Sequence, residues 1–472
     1  MSILHQLPLI ASCARETWER GTIPANLWFE AIMDRYAGVR SGVGGGPEPG
    51  KIIRGDNLSV AKTLFAAVSA GTQGAPTLIY MDPPFFTRSK YKQNVNIPGD
   101  ERGGVTLPVK AFSDMWGGAD GAGTGDAFAR YLEMLSVRIV AAHDLLSDEG
   151  SLWIHLDHHA AHYVKILADH IFGGPEYLLN EVIWQYSSGG ATKKHFARKH
   201  DTLLFYAKNP VRHRFYPMRE KSYNRGRKPY RFKGVKEYRD EGGWYTLVNM
   251  RDVWRIDMVG RTSGERTGYA TQKPEALMER IVSSCTERGD LCLDMFGGSG
   301  TLAAVCESTD RRWIVVDESP LASLHIERRM AGKGAAFEIM SGARTVAEPA
   351  AEGAPSWGLE AALEHAADGA DGAGAMAVVK PVSYTMPEGA LDVGVRDASA
   401  LAEKIRRSPG SFVAGMSAEV RPAPGGDGPF RPSCAVYGEG SLRLPVRDSD
   451  AEIIVRVVDV FGNVSIVKMN EE

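Results

Sequence analysis

The sequence predicts an α/β fold built around a mostly parallel sheet, and three observations carry that expectation. Its 472 residues allow two or three domains of ordinary size, each with its own core. Hydrophobic residues make up 43% and charged residues 24%, the mixture of a globular protein. Between residues 51 and 335 short apolar runs alternate with stretches of helical periodicity, the pattern of helices laid on both faces of a parallel sheet.

Residues 1–50 read as an N-terminal helical arm, with Trp18, Leu27, Trp28, Ile32 and Tyr36 at near-helical spacing, followed by a Gly-rich connector from Ser41. That connector lacks the Gly-Lys-Ser/Thr ending of a phosphate loop. Residues 51–54, 77–81, 151–155, 291–295 and 313–317 read as buried strands, and residues 131–146, 160–172 and 301–307 as helices. Residues 336–380 form an Ala/Gly/acidic linker by composition, densest between 347 and 375. Beyond it, residues 381–472 predict a small, mainly β C-terminal domain whose last two strands turn at Phe461-Gly-Asn463.

No apolar run has bilayer-spanning length, and the N-terminus lacks a basic start before its apolar residues, so a cytoplasmic protein with no membrane partner is expected. Five scattered cysteines with no CxxC pair fit reduced thiols, not a disulfide or zinc framework. The net charge of -3 creates no global field for polyanions, so any nucleic-acid contact must come from local clusters. One such cluster exists: residues 193–236 hold about fifteen Lys or Arg and two acids, interleaved with Phe196, Phe215, Tyr216, Tyr223, Tyr230 and Phe232.

Two motifs carry the chemistry. The first, Asp82-Pro83-Pro84-Phe85, ends an apolar strand, at the sheet edge where open parallel sheets bind ligands. Two prolines stiffen the turn and remove two N–H donors. The Asp82 carboxylate and the Pro83 carbonyl can then accept both N–H bonds of an exocyclic amine, while Phe85 stacks on its ring. The second motif is Asp294-Met-Phe296-Gly297-Gly298-Ser299-Gly300-Thr301, again strand, glycine turn and helix. Its spacing is not GxGxxG and no Lys-Ser/Thr follows, which disfavours a nicotinamide cofactor or ATP. The next strand ends at Asp317, a carboxylate placed to hold ribose hydroxyls, so a nucleoside cofactor is implied.

Together the two motifs resemble those of the DNA amino-methyltransferases, with the target-amine motif before the cofactor motif, the circularly permuted order of the beta class. Relatives of that class include the modification subunits of type III restriction systems. The resemblance covers residues 51–335 and extends through Arg54-Gly-Asp56-Asn57-Leu58, Phe112-Ser-Asp-Met-Trp116, the segment ending Trp153-Ile-His155-Leu-Asp157, and Thr271-Gln-Lys273-Pro274. It implies a Rossmann-like, S-adenosylmethionine-dependent methyltransferase fold, with a basic target-recognition insert at about residues 193–268. Phe296, Gly298 and Gly300 would line the methionine and ribose side of S-adenosyl-L-methionine, with Asp294 at the strand end, Ser299 in the turn and Thr301 opening the helix. Asp317, or Glu318 beside it, would hold the ribose, Lys273 and Pro274 the methionine moiety, and Asp56 and Asn57 would lie near the adenine. Asp82, Pro83, Pro84 and Phe85 would hold the base.

The implied reaction is site-specific methylation of the N6 amino group of adenine in double-stranded DNA after base flipping. Cytosine N4 methylation is the nearest alternative, and RNA or protein methylation a more distant one; cytosine enzymes of this kind more often place Ser before Pro-Pro, which favours adenine for Asp82. Carbon-5 methylation would need a nucleophilic cysteine, and none of the five sits in a matching loop. Arg225, Arg227, Lys228 and Arg231 are the expected phosphate contacts. His158 and His162 lie one helical turn apart, but the chemistry needs no metal and none is expected. Tyr131, Trp153, Tyr163 and Trp184 are expected in the core. A homodimer and a separate restriction subunit are the protein partners the resemblance implies.

Overall fold

The computed structural model describes residues 3–21, 28–33, 48–100, 103–116, 124–187, 192–341, 356–364, 375–385, 398–421, 430, 432, 434–437, 441–446 and 452–469. Its N-terminal part contains α1 (Ile3–Arg20), β1 (Trp28–Met33), β2 (Gly50–Arg54), α2 (Asn57–Ser69), β3 (Leu78–Met81) and the hairpin β4 (Lys90–Asp100) and β5 (Gly103–Ser113). Next come α3 (Thr124–Leu145), β6 (Ser151–Leu156), α4 (Ala161–Phe172), β7 (Leu178–Gln185) and β8 (His200–Ala207), then β9 (Arg219–Tyr223), β10 (Glu237–Asp240), β11 (Gly243–Asn249) and β12 (Val253–Arg255). The sheet is completed through α5 (Glu275–Cys285), β13 (Leu291–Asp294), α6 (Thr301–Ser308), β14 (Arg312–Asp317), α7 (Pro320–Gly332) and β15 (Phe337–Ser341).

Ten of these strands form one sheet in the order β1-β15-β2-β14-β13-β3-β6-β8-β7-β12. The run from β15 to β6 is parallel throughout, while β8 pairs antiparallel with both β6 and β7. Alternate side chains feed two cores. Ile79 and Met81 of β3 pack with α1, α2, α3 and α4, whereas Leu78 and Tyr80 pack on the opposite face with α5, α6 and α7. Tyr131, Trp153 and Trp184 are buried as expected, and Tyr163 is half-buried against the core that holds Tyr131.

The N-terminal arm differs from its expectation. Helix α1 is core: Leu7, Ile10, Ala14 and Trp18 are buried, and the Trp18 indole and the Arg15 guanidinium both donate to Asp144 of α3, at 2.9 and 2.6 Å. Trp28 and Ile32 lie not on a helix but in β1, which caps the outer edge of β15. An unpaired sheet edge is a strong template for β-prone residues and overrides a short helical spacing. Leu27, Tyr36 and most of the Gly-rich connector lie outside the described residues.

The expected linker also contains structure. Ser356–Glu364 (β16) pairs along its length with Ala375–Thr385 (β17), and Trp357 is buried against Tyr384 with ring centroids 4.4 Å apart. Backbone pairing and one aromatic anchor offset a composition that buries little. The chain continues through α8 (Ala398–Arg407), β18 (Val413–Arg421), β19 (Cys434–Tyr437), β20 (Leu442–Val446), β21 (Glu452–Asp459) and β22 (Val464–Met469). These strands make a three-stranded sheet, β16-β17-β20, and a four-stranded sheet, β19-β18-β21-β22. The turn between the last two strands is organised by Asp459, whose carboxylate accepts from the amides of Phe461 and Asn463 and from the Tyr384 hydroxyl.

This β-rich part is anchored on α7. Arg456 of β21 donates to both carboxylate oxygens of Glu327 at 2.7 and 3.1 Å, both side chains are almost fully buried, and Tyr437 adds a third donor at 2.8 Å. Removing one member of a buried ion pair leaves the other charge uncompensated, at a cost of roughly 3–5 kcal/mol. Arg456→Met should therefore lower the urea midpoint strongly, and adding Glu327→Gln should restore much of the loss, read by denaturant titration of the three proteins.

Candidate active site

Strands β2, β14, β13 and β3 are consecutive neighbours in one parallel sheet, so their C-terminal ends open on one edge. Onto that edge fall Asp56 and Asn57 after β2, Asp317 after β14, the glycine turn after β13 and Asp82-Pro83-Pro84-Phe85 after β3. Between them lies a cavity of about 680 Å3, a size ordinary for a cofactor-binding cleft. Its walls include Asp82, Pro83, Pro84 and Phe85 on one side, Phe296 and Gly298 in the middle, and Asp56, Asn57, Asp317 and Glu318 at the other end.

The Asp82 turn is held from two sides. Lys273, itself buried, donates from Nζ to Asp82 Oδ2, and Nζ also lies 5.3 Å from the centre of the Phe85 ring. Asp82 Oδ1 is buried and has no hydrogen-bond partner among the described residues. Behind the turn, the fully buried Asp114 accepts from the backbone amides of Phe86 and Thr87 at 3.1 and 2.5 Å and from the Trp116 indole at 2.8 Å. Phe85 stacks on His155, with ring centroids 5.7 Å apart at 28°. His155 Nε2 bonds Asp201 at 3.1 Å and Nδ1 the Tyr80 hydroxyl at 2.8 Å, so in the neutral ring Nε2 donates and Nδ1 accepts. The Tyr186 hydroxyl is a second donor to Asp201, at 3.0 Å.

The glycine turn adopts its shape because Gly298 and Gly300 take left-handed φ values of 49° and 71°. The Gly298 amide donates to Asp317 Oδ2 at 2.8 Å, and the Ser319 amide to Oδ1 at 2.8 Å. Burial pushes the Asp317 carboxyl up to about 6, against those two amides, which lower it. Asp294 is fully buried at the root of the turn; burial raises its pKa to about 8, Asp82 and Asp317 add to the rise, and the Phe296 amide donating at 2.9 Å opposes it.

Residues 77–325, slightly more than half of the chain, match the N6/N4 methyltransferase family, described as DNA methylase. The chain belongs to the N6/N4 DNA methylase family. Among curated relatives, the Type II methyltransferase M.HpaI of Haemophilus parainfluenzae is 28% identical over 191 residues, covering 40% of this chain and 56% of that protein. The Type II methyltransferase M.EcaI of Enterobacter cloacae is 25% identical over 312 residues, covering 54% and 64%. The chain thus spans less than two thirds of the length of both relatives. Among solved structures, the PvuII DNA methyltransferase, described as cytosine-N4-specific, aligns with a TM-score of 0.39 at 13% identity, covering 62% of this chain and 94% of that one.

In this DNA methylase family member the edge gathers most of the residues singled out by sequence, with departures. Gly300 does not face the cavity; a Cβ there would sit 3.0 Å from Ile326 of α7, so this glycine serves helix packing. Ser299 and Thr301 line only a small adjoining recess of about 30 Å3. The Thr301 hydroxyl donates to the Lys273 carbonyl at 3.0 Å, and Arg329 donates to the Ser299 carbonyl at 3.0 Å. Pro274 occupies the N-cap of α5 and is absent from the lining. Lys273 does line the cavity, but its ammonium is committed to Asp82. Asp56 and Asn57 are likewise engaged: Asp56 caps α2 through Ser59, Asn57 donates to the Met295 carbonyl at 2.7 Å, and Arg138 donates to both side chains.

Sequence reading missed Arg138 and Tyr269 of the lining and gave no role to His155 and Asp201 beneath Phe85. Glu318 was legible beside Asp317 as the alternative ribose carboxylate and does line the cavity, whereas Arg138 lies mid-helix with no local signal. Asp157, His158 and His159 bring ligand atoms within 4.8 Å of one another at the surface, and His162 is outside that group. None of the five cysteines lines the cavity.

Folded Asp294 binds its proton more tightly than the unfolded chain, where an aspartate titrates near 3.8. Its contribution to stability is therefore present below about pH 4 and is lost as pH rises towards 8. Asp294→Asn keeps an acceptor for the Phe296 amide, so it should flatten the fall in thermal midpoint between pH 4 and 8, as followed by melting curves across that range.

Proposed function

We propose that this chain transfers a methyl group from S-adenosyl-L-methionine to the N6 amino group of adenine in double-stranded DNA. The observation that carries the reading is Asp82 Oδ1: a buried carboxylate oxygen without a partner among the described residues, on a rigid turn that lines the cavity beside Phe85. A buried acceptor left without a donor costs free energy unless a ligand supplies one. An exocyclic amine does so, giving one N–H to Asp82 and the other to the Pro83 carbonyl, while Phe85 stacks on the purine.

S-adenosylmethionine fits the same cavity: the Gly298 turn leaves room for close backbone approach, and Asp317 with the exposed Glu318 presents carboxylate oxygens to ribose hydroxyls. When bound, it supplies a methyl group already activated on sulfonium, so no covalent enzyme intermediate is needed. The chain contributes position. Lys273 fixes one oxygen of Asp82 so that the other faces the amine, and the Asp114 clamp keeps Phe85 over the base, within reach of the Phe296 side of the cavity. Holding reactants in line is worth orders of magnitude in rate. The amine is buried in duplex DNA, so the base must first be extruded. Asp rather than Ser before Pro-Pro supports adenine over cytosine. The likeness to type II methyltransferases supports a modification role beside a separate restriction subunit, and a two-fold target would suit a homodimer.

The basic insert supports duplex DNA as substrate. Arg225, Arg227, Lys228 and Arg231 are exposed on a tip stiffened by Glu237, which accepts from the amides of Tyr230 and Arg231. None of the four cations has an ion-pair partner among the described residues.

Single-molecule sequencing of DNA from a host expressing this chain should show modified adenine within one short motif, absent with Asp82→Asn. Modified cytosine amino groups would overturn the base assignment, and no modification would overturn the reaction. Each phosphate that a cation no longer neutralises reduces the salt slope by about 0.9. Arg225→Ala with Arg227→Ala should therefore make binding to duplex DNA weaker and its salt dependence shallower by about two, in titrations at several salt concentrations.

A further inference from the structure

The loop joining β7 to β8 leaves the sheet at the same edge as Asp82, because β7 runs parallel to β6 and β3. Its base is closed by the Tyr186 amide donating to the Lys199 carbonyl at 3.1 Å. It is also tied to the candidate active site. Tyr186 and His155 share Asp201, and His155 stacks on Phe85, so two side chains separate the root of this loop from the ring that faces the target base. Its described tip, residues 192–198, is exposed and carries Lys193, Lys194 and Arg198.

At that tip Phe196 is 97% exposed, more than any other large hydrophobic side chain described. Two comparisons set it apart. Val211, at 91%, follows the far end of β8 and so lies at the opposite edge of the sheet, and Phe232, at 63%, rests against the Tyr230 ring at 5.4 Å. Phe196 alone of the three combines the catalytic edge, a rigid root and flanking cations. An isolated exposed apolar residue is ordinary on a protein surface. One presented on a basic loop beside a base-binding turn has the chemistry of a wedge: cations hold the phosphates while an apolar ring enters the stack.

We infer that Phe196 enters the duplex and fills the space vacated by the flipped base, with Lys193, Lys194 and Arg198 on the flanking phosphates. The inference rests on the DNA methylase reading above. The ring stacks where the extruded base had stacked, so the wedge acts on the flipping step and not on methyl transfer itself.

The test uses the full chain and two duplexes bearing the motif read by sequencing, one fully paired and one with an abasic site opposite the target base, where stacking and pairing are already weakened. Phe196→Ala should slow methylation of the paired duplex by tenfold or more and that of the abasic duplex by less than threefold, and Phe196→Trp should restore the paired rate. Equal losses on both duplexes, or no loss on either, would overturn the wedge. Failure of the unsubstituted chain to methylate either duplex would instead overturn the reaction on which it rests.

Discussion

The parallel pairing of β13 with β3 on one side and β14 on the other is the constraint on which the site depends. Parallel neighbours end on the same edge, so the residues after each strand meet although they are far apart in sequence. With β2 added beside β14, that edge collects the Asp82 turn, a glycine turn, the Asp317 carboxylate and the Asp56 cap. An antiparallel β13 would carry the glycine turn to the opposite edge and leave the Asp82 turn without it across the cavity.

A second layer of coupling joins the two central turns. Lys273 binds Asp82 through its ammonium and accepts the Thr301 hydroxyl at its carbonyl, and Arg329 joins the Ser299 carbonyl to Glu275 at the start of α5. One loop thereby holds Asp82 and the helix that follows the glycines. In a buried setting such pairs are specific because a misplaced charge has no water to turn to. The same confinement explains why Asp294 and Asp317 hold protons to higher pH than exposed aspartates.

The C-terminal strands are not an appendage to this arrangement. Arg54, at the end of β2, donates to the Gly462 carbonyl at 2.6 Å, and a Cβ on Gly462 would meet the Pro320 carbonyl at 2.3 Å. Pro320 and Ser319 border the cavity, and Val95 and Val109 of the β4–β5 hairpin share a core with Leu321 and the C-terminal sheets. The rim beyond Asp317 is thus packed between the central sheet and the C-terminal strands.

The strand and helix order from residue 51 to 335, the two motifs and the basic cluster are written locally, as runs of apolar residues, prolines, glycines and like charges. Local signals were enough to place Asp82, Phe85, Phe296, Gly298 and Asp317 around one cavity. They misread β1, where pairing with β15 overrode helical spacing, and β16, where pairing with β17 gave order to a segment whose composition argued against it. They could not distinguish Gly298, which faces the cavity, from Gly300, which makes room for Ile326, because both need the same left-handed backbone. Arg138, His155 and Asp201 were hidden for the same reason: their partners lie tens of residues away, and only packing brings them together. Sequence alone determined which chemical groups the chain carries and on which turns; the tertiary structure decided which of them are spent on one another and which, like Asp82 Oδ1, are left buried without a partner among the described residues, because hydrogen-bond satisfaction is settled by neighbours in space.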